Sequence, residues 1–140
     1  MKVNGSNGDQ LEINILRRNN SQSSDYWDAN WIECEIKIII ANFNSTYGTN
    51  LRVEELQEFY DDLIELQKGI EKEATFITLE EGLYLKCKIK CTGAVDCIGK
   101  ATNEIGNNLN FSIQTDLQSL EIFINELKEV LDIYPLKGVV

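Results

Sequence analysis

The sequence predicts an α+β fold of two layers, with a mostly antiparallel sheet of about six to seven strands and two helices on one face. Two observations carry this prediction. Several short segments alternate apolar and polar residues with a period of two, as strands with one buried face do. Two longer segments instead repeat apolar residues at helical spacing. Taken along the chain, they give the order βββ-α-ββββ-α in one domain, residues 1–140.

Three strands are predicted before the first helix. Alternation across 11–15 predicts the first, behind a turn-like segment at 4–8, and the polar segment 17–24 is a loop. The clearest strand spans 32–41, where its apolar residues alternate with Glu33, Glu35 and Lys37. Residues 42–50 are expected to hold a turn near Tyr47-Gly48 and a short third strand.

The first helix is predicted over 53–68. Leu56, Phe59 and Leu63 recur at helical spacing, and Gly69 is placed to end the helix as a C′ glycine. Val53 lies where a serine or threonine cap is usual, so the start is imperfect.

The second half is predicted as a four-stranded meander followed by a helix. Its strands are expected at 74–79, 83–91, 95–101 and 109–113. A three-residue hairpin loop at 92–94 is preferred, because a two-residue loop would bury Asp96 and Lys100. Asp116 or Thr115 caps the last helix, and Pro135 ends it.

Charge and hydropathy limit the classes of partner. The formal net charge is −10 and the pI is about 4.4. Nucleic acid and anionic membranes both require a positive surface, so neither is an expected partner, whereas a basic protein is. No apolar run approaches the ~20 residues of a membrane span, and the N-terminus lacks a signal-peptide core. We therefore expect a cytoplasmic protein.

The inventory of reactive residues argues against an enzyme. The chain has no histidine and no phosphate-binding glycine motif, so catalytic residues are not predicted. Cys87 and Cys91, four residues apart on one strand, would lie ~13 Å apart, too far to share a zinc ion or a disulfide. The four cysteines are expected to be inward-facing free thiols, with no metal and no cofactor.

Two features are candidates for partner binding. The first is the aromatic-acid block 25–31, which contains Asp25, Tyr26, Trp27, Asp28 and Trp31. Exposed Trp and Tyr dominate interface energetics, although the same residues could cap the core while the acids close a turn. The second is an acidic stripe on the first helix, opposite its apolar face, which is either an anionic docking surface or an ordinary solvated face. Its members are Glu54, Glu58, Asp61, Asp62 and Glu65.

These residues resemble the WapI-type immunity proteins of bacteria. The resemblance is carried by Asn4-Gly5-Ser6-Asn7-Gly8 before a strand, by the block 25–31, by Glu54-Glu55-Leu56 at the start of a helix, by Phe76 and Leu79 before Leu83 and Leu85, and by Tyr134-Pro135 after the last helix. It covers nearly the whole chain. It implies a cytoplasmic protein that binds and neutralises a toxin domain, often a nuclease, and it supplies no established functional residues.

Resemblance and charge together predict an immunity protein that binds a cognate toxin domain, basic and of nuclease type, and covers its surface without catalysing a reaction. The oligomeric state stays open. The alternative is a small ligand-binding or scaffold domain that uses the exposed sheet face, where Lys86, Lys88, Lys90 and Lys100 form a local basic cluster.

Overall fold

The computed structural model describes residues 1–138 and confirms the α+β class. Two antiparallel sheets of four strands run in the orders β1-β2-β3-β4 and β5-β6-β7-β8. A long helix follows each sheet, so the order ββββα occurs twice, with one extra short helix in the first half. The elements are β1 (Lys2–Asn4), β2 (Gln10–Arg18), α1 (Tyr26–Ala29), β3 (Trp31–Ile40), β4 (Phe43–Arg52), α2 (Val53–Gln67), β5 (Glu73–Phe76), β6 (Leu83–Ile89), β7 (Val95–Thr102), β8 (Asn108–Thr115) and α3 (Leu117–Ile133).

The first half differs from its prediction in strand number and turn position. Residues 1–138 form eight strands in two sheets, where one sheet of six to seven was expected. β1 was missed because only Val3 of its three residues is buried, too short a pattern to recognise. The turn lies at Ala41-Asn42 and not near Tyr47-Gly48, since Ile40 pairs with Phe43 and Ala41 adopts φ 50°. β4 is therefore a full ten-residue strand.

The two halves share one hydrophobic core, into which both long helices pack. Phe59 of α2 occupies its centre, with its ring centroid 5.1 Å from that of Phe76 in β5 and 6.2 Å from that of Phe123 in α3. A buried Phe contributes about 1.5–3 kcal/mol through the apolar surface it removes from water. Phe59 thus links the second sheet to both helices.

The helix ends follow ordinary capping chemistry. The Asp116 carboxylate accepts a hydrogen bond from the Ser119 N–H at 2.7 Å, which confirms Asp116 as the cap of α3. Gly69 follows α2 with φ 76°, as predicted for a C′ glycine. At the start of α2 the Glu55 carboxylate accepts from the Arg52 N–H at 2.7 Å, so a carboxylate compensates for the missing serine or threonine.

The β6–β7 hairpin has a loop of the predicted length, shifted by one residue. Lys90 N–H donates to the Ala94 carbonyl at 2.8 Å, so the loop is 91–93, with φ 88° at Gly93. Moving the loop by one residue changes which residues pair across the two strands by two positions. Because side chains alternate with a period of two, the same residues of β6 and β7 remain on the buried face. The shift also brings Cys87 opposite Cys97, with 3.2 Å between their sulfur atoms.

The prediction that every cysteine faces inward is wrong for Cys91. This residue lies beyond the end of β6 and is exposed. Cys34, Cys87 and Cys97 are buried free thiols, as expected. Burial raises the pKa of Cys34 to about 12, so this thiol stays protonated at neutral pH.

Within residues 1–138, none of the helices is both long enough and apolar enough to cross a bilayer.

Candidate protein-binding site

The aromatic-acid block folds into the short helix α1 and the first residue of β3. The Asp25 carboxylate accepts from the Trp27 N–H at 2.7 Å and caps α1, the structural role expected for an acid that closes a turn. Asp28 is exposed in the first turn of α1, where its charge suits the positive end of the helix. Tyr26 and Trp31 are half-buried, and Trp27 is 51% exposed.

Asn30, inside the block, fastens it to the C-terminal segment. Its side chain is fully buried, and its amide nitrogen donates to the carbonyls of Tyr26 at 2.7 Å and Lys137 at 3.0 Å. Its amide oxygen accepts from the Lys137 N–H at 2.9 Å. This role of Asn30 has no local signal in the sequence, because its partner Lys137 lies 107 residues away.

Arg52 is buried beneath the two tryptophans. Arg52 is 1% exposed, and its Nη1 donates a hydrogen bond to the Trp27 carbonyl at 2.7 Å. The guanidinium carbon lies 3.9 Å from the ring centroid of Trp27 and 5.1 Å from that of Trp31, within cation–π range. Its Nε forms an ion pair with Glu54. Nη2 is buried without a hydrogen-bond acceptor in residues 1–138.

The carboxylates beside Arg52 have opposite pKa shifts. Partial burial acts to raise the pKa of Glu54, but hydrogen bonds from Tyr26 and Arg52 outweigh it, so this pKa lies below its ordinary value. The hydrogen bond to Glu54 in turn raises the pKa of Tyr26. Burial raises the pKa of Glu55, despite the N–H groups of Arg52 and Leu79 that donate to its carboxylate. The charge of Arg52 is thus balanced mainly by Glu54.

The rest of the predicted acidic stripe is free on the surface of α2. Glu58, Asp61, Asp62 and Glu65 are exposed, and none of the ion pairs found in residues 1–138 involves them. Glu54 differs from these four because it is half-buried and paired. Its hydrogen bond from the Tyr26 hydroxyl joins α1 to the first turn of α2, so the two predicted regions adjoin.

A groove that the sequence did not predict borders both regions. We call it the Trp27 groove; it has a volume of about 480 Å³. One side is Trp27 with the first turn of α2, and the other is the segment after β5. Its lining is Trp27, Arg52, Glu54, Glu55, Glu58, Ile77, Thr78, Leu79 and Glu81. The sequence did contain a signal for this groove. In the strand predicted over 74–79, the apolar residues Ile77 and Leu79 fall on the outward face, where polar residues are usual.

The lysines of the alternative hypothesis lie on the second sheet, with Lys90 just past the end of β6, and two of them are paired with acids. Lys86 pairs with Glu73 at 3.3 Å, and Lys90 pairs with Asp96 at 3.1 Å. Lys100 borders a separate open pocket of about 460 Å³. In the described part of the chain, no group of three or more Cys, Asp or Glu residues is placed to hold a metal ion.

Solved structures share the fold at very low sequence identity. The Trypanosoma bruciei MRP1/MRP2 structure matches with a TM-score of 0.52 and 9% identity over 93% of this chain and 77% of the other. A guide-RNA-binding protein complex bound to a guide RNA matches with a TM-score of 0.50 and 8% identity, over 89% and 79%. Such low identities show the fold alone.

Sequence comparison is more specific. The search of curated proteins finds no match. The model of the immunity protein WapI-like family, however, matches residues 2–135, nearly the whole chain. This chain therefore belongs to the WapI-like immunity protein family.

Proposed function

We propose that this protein binds a basic, nuclease-type toxin domain and neutralises it by covering its active surface. The observation that supports this most directly is the free acidic face of α2, Glu58 to Glu65, beside the half-exposed Trp27. Membership of an immunity family supplies the class of partner. The mechanism needs binding alone, because occlusion requires no bond to be made or broken.

Electrostatics favour a basic partner. A domain that handles nucleic acid needs a positive surface, and a net charge of −10 attracts such a domain over long range. The acidic face also has a cost, because like charges at i,i+3 and i,i+4 destabilise a helix by about 0.2–0.5 kcal/mol per pair. Glu58/Asp61, Glu58/Asp62 and Asp61/Glu65 are such pairs. A surface serving only solubility would mix charges of both signs.

The net charge of −10 separates this protein from the solved structures that share its fold. One of these structures is described as a guide-RNA-binding protein complex bound to a guide RNA. RNA binding requires a positively charged surface, whereas this chain carries a net charge of −10. We expect no mobility shift when the purified protein is mixed with RNA at physiological salt.

Charge reversal tests the acidic face. The partner in this test is the cognate toxin domain, which we expect to be the C-terminal domain of a large secreted protein encoded beside the gene for this chain. The triple variant Glu58→Lys, Asp61→Lys, Asp62→Lys should slow association with it by about tenfold or more at low salt and flatten the salt dependence. Stopped-flow fluorescence measures both quantities.

A matched control changes the net charge equally at exposed acids outside both regions, Glu104→Lys, Glu121→Lys, Glu129→Lys. Its association rate should stay closer to that of the wild type. Equal rates in the two triple variants would remove the α2 face from the proposal. Failure of the wild-type protein to bind the toxin at all would refute the proposed function itself.

A further inference from the structure

The Trp27 groove has an apolar wall that the proposed function has not used. Trp27, Ile77 and Leu79 are 51%, 69% and 60% exposed, and all three line the groove. Single exposed apolar residues are ordinary, but a cluster around a concave surface marks an interaction site. Tryptophan in particular is enriched among residues that carry most of an interface's binding energy.

The charges of the groove select the occupant. Glu54, Glu55, Glu58 and Glu81 line it, and among residues 1–138 Arg52 is the one cation in its lining. Because Arg52 is buried and paired with Glu54, the accessible groove is negative. A lysine or arginine side chain satisfies both properties, since its aliphatic stem packs on apolar surface while its charged end reaches a carboxylate.

The groove walls are held in place before any partner arrives. Trp27 stacks on Arg52 and meets Trp31 edge to face, with 6.3 Å between the ring centroids. On the opposite wall, Leu79 N–H donates to the Glu55 carboxylate, whose other oxygen accepts from Arg52 N–H. Preorganised walls reduce the entropy lost on binding.

We propose that the Trp27 groove is the central contact with the toxin, and that it receives a lysine or arginine side chain of that toxin. This inference rests on the proposed function and specifies where and by what chemistry the partner is recognised. The free acids of α2 then steer the encounter, while the groove determines how long the complex lasts.

The test compares dissociation of the full-length variants Ile77→Ser and Leu79→Ser from the toxin domain. Both side chains point outward, so folding should be preserved, and matching urea midpoints check this. Each variant should dissociate about tenfold faster or more, with a nearly unchanged association rate. The controls Phe43→Ser and Ile105→Ser alter apolar residues outside the groove that are as exposed as Ile77 and Leu79 or more so, and they should change dissociation less than about twofold.

The identity of the occupant is tested by charge exchange. Glu58→Lys combined with Glu81→Lys should weaken binding, and replacing one lysine or arginine of the toxin with glutamate should restore it. Unchanged dissociation in the Ile77 and Leu79 variants, with wild-type binding intact, overturns the groove while leaving the proposed function in place. Faster dissociation without any such compensating residue in the toxin overturns the basic side chain.

A second copy of this chain is the other possible occupant. Sedimentation of the protein without toxin should give the same species for the wild type and Leu79→Ser. A wild-type dimer that Leu79→Ser dissociates would assign the groove to self-association and overturn the proposal.

Discussion

Replacement of Arg52 with methionine tests whether the buried guanidinium organises the site. Methionine keeps an unbranched stem but removes the pair with Glu54, the hydrogen bond to the Trp27 carbonyl and the stacking on its ring. Breaking a fully buried ion pair by removing one partner costs about 3–5 kcal/mol. The Glu54 side chain is 26% exposed and keeps the Tyr26 hydroxyl, so we expect a lower cost of about 2–4 kcal/mol.

Urea denaturation measures this loss. With a slope of about 2 kcal/mol per molar urea, the midpoint should fall by about 1–2 M. The control Arg17→Met removes a surface pair with Glu33 and should change the free energy of unfolding by about 0.5 kcal/mol or less.

The double variant Arg52→Met, Glu54→Gln sharpens the test. Glu54→Gln removes the charge that Arg52→Met leaves unpaired, so the combined loss should be smaller than the sum of the two single losses. A midpoint for Arg52→Met no lower than that of Arg17→Met would refute the claim that Arg52 organises this end of the fold.

Three further predictions concern the same end of the molecule and the thiols. Asn30→Ala should lower the free energy of unfolding by about 1–3 kcal/mol, because the partly buried main-chain groups of Lys137 lose their hydrogen-bond partners, and calorimetry measures this loss. An unchanged melting temperature would contradict this. Because the pKa of Glu54 is lowered from 4.5 in the folded state, its contribution to stability is present above that pH and lost as pH falls through the folded pKa. The stability gap between wild type and Glu54→Gln should therefore narrow below pH 4.5, whereas a constant gap would contradict the shift. A thiol reagent should label Cys91 rapidly and the other three cysteines only on unfolding; rapid labelling of more than one would contradict the buried positions.

The helices and strands that the sequence predicted well are those in which apolar residues repeat periodically over the whole length of the element. The strand at 32–41 and the helix at 53–68 each contain a long periodic run, and both appear within a residue or two of the expected bounds. The acid Asp116 caps its helix as predicted because capping is a local interaction. The division of the strands into two sheets could not be predicted, because local alternation shows where a strand lies but not which other strand it pairs with.

The candidate site shows the same limit. Block 25–31 and the acids of α2 were visible as composition, but their adjacency depends on tertiary contacts such as that between Tyr26 and Glu54. The burial of Arg52 could not be predicted from the sequence, because an arginine before a helix is usually exposed. Its burial becomes apparent only when both tryptophans are placed over it.

The most direct test of the account is a titration of the toxin domain's activity with the purified protein. Inhibition by occlusion predicts that activity falls in proportion to the protein added and reaches zero at equimolar amounts, with the toxin's mass unchanged and full activity regained after separation. Toxin activity that persists in excess protein would contradict the account. Lasting inactivation by far less than equimolar protein would contradict it as well, because that result requires catalysis.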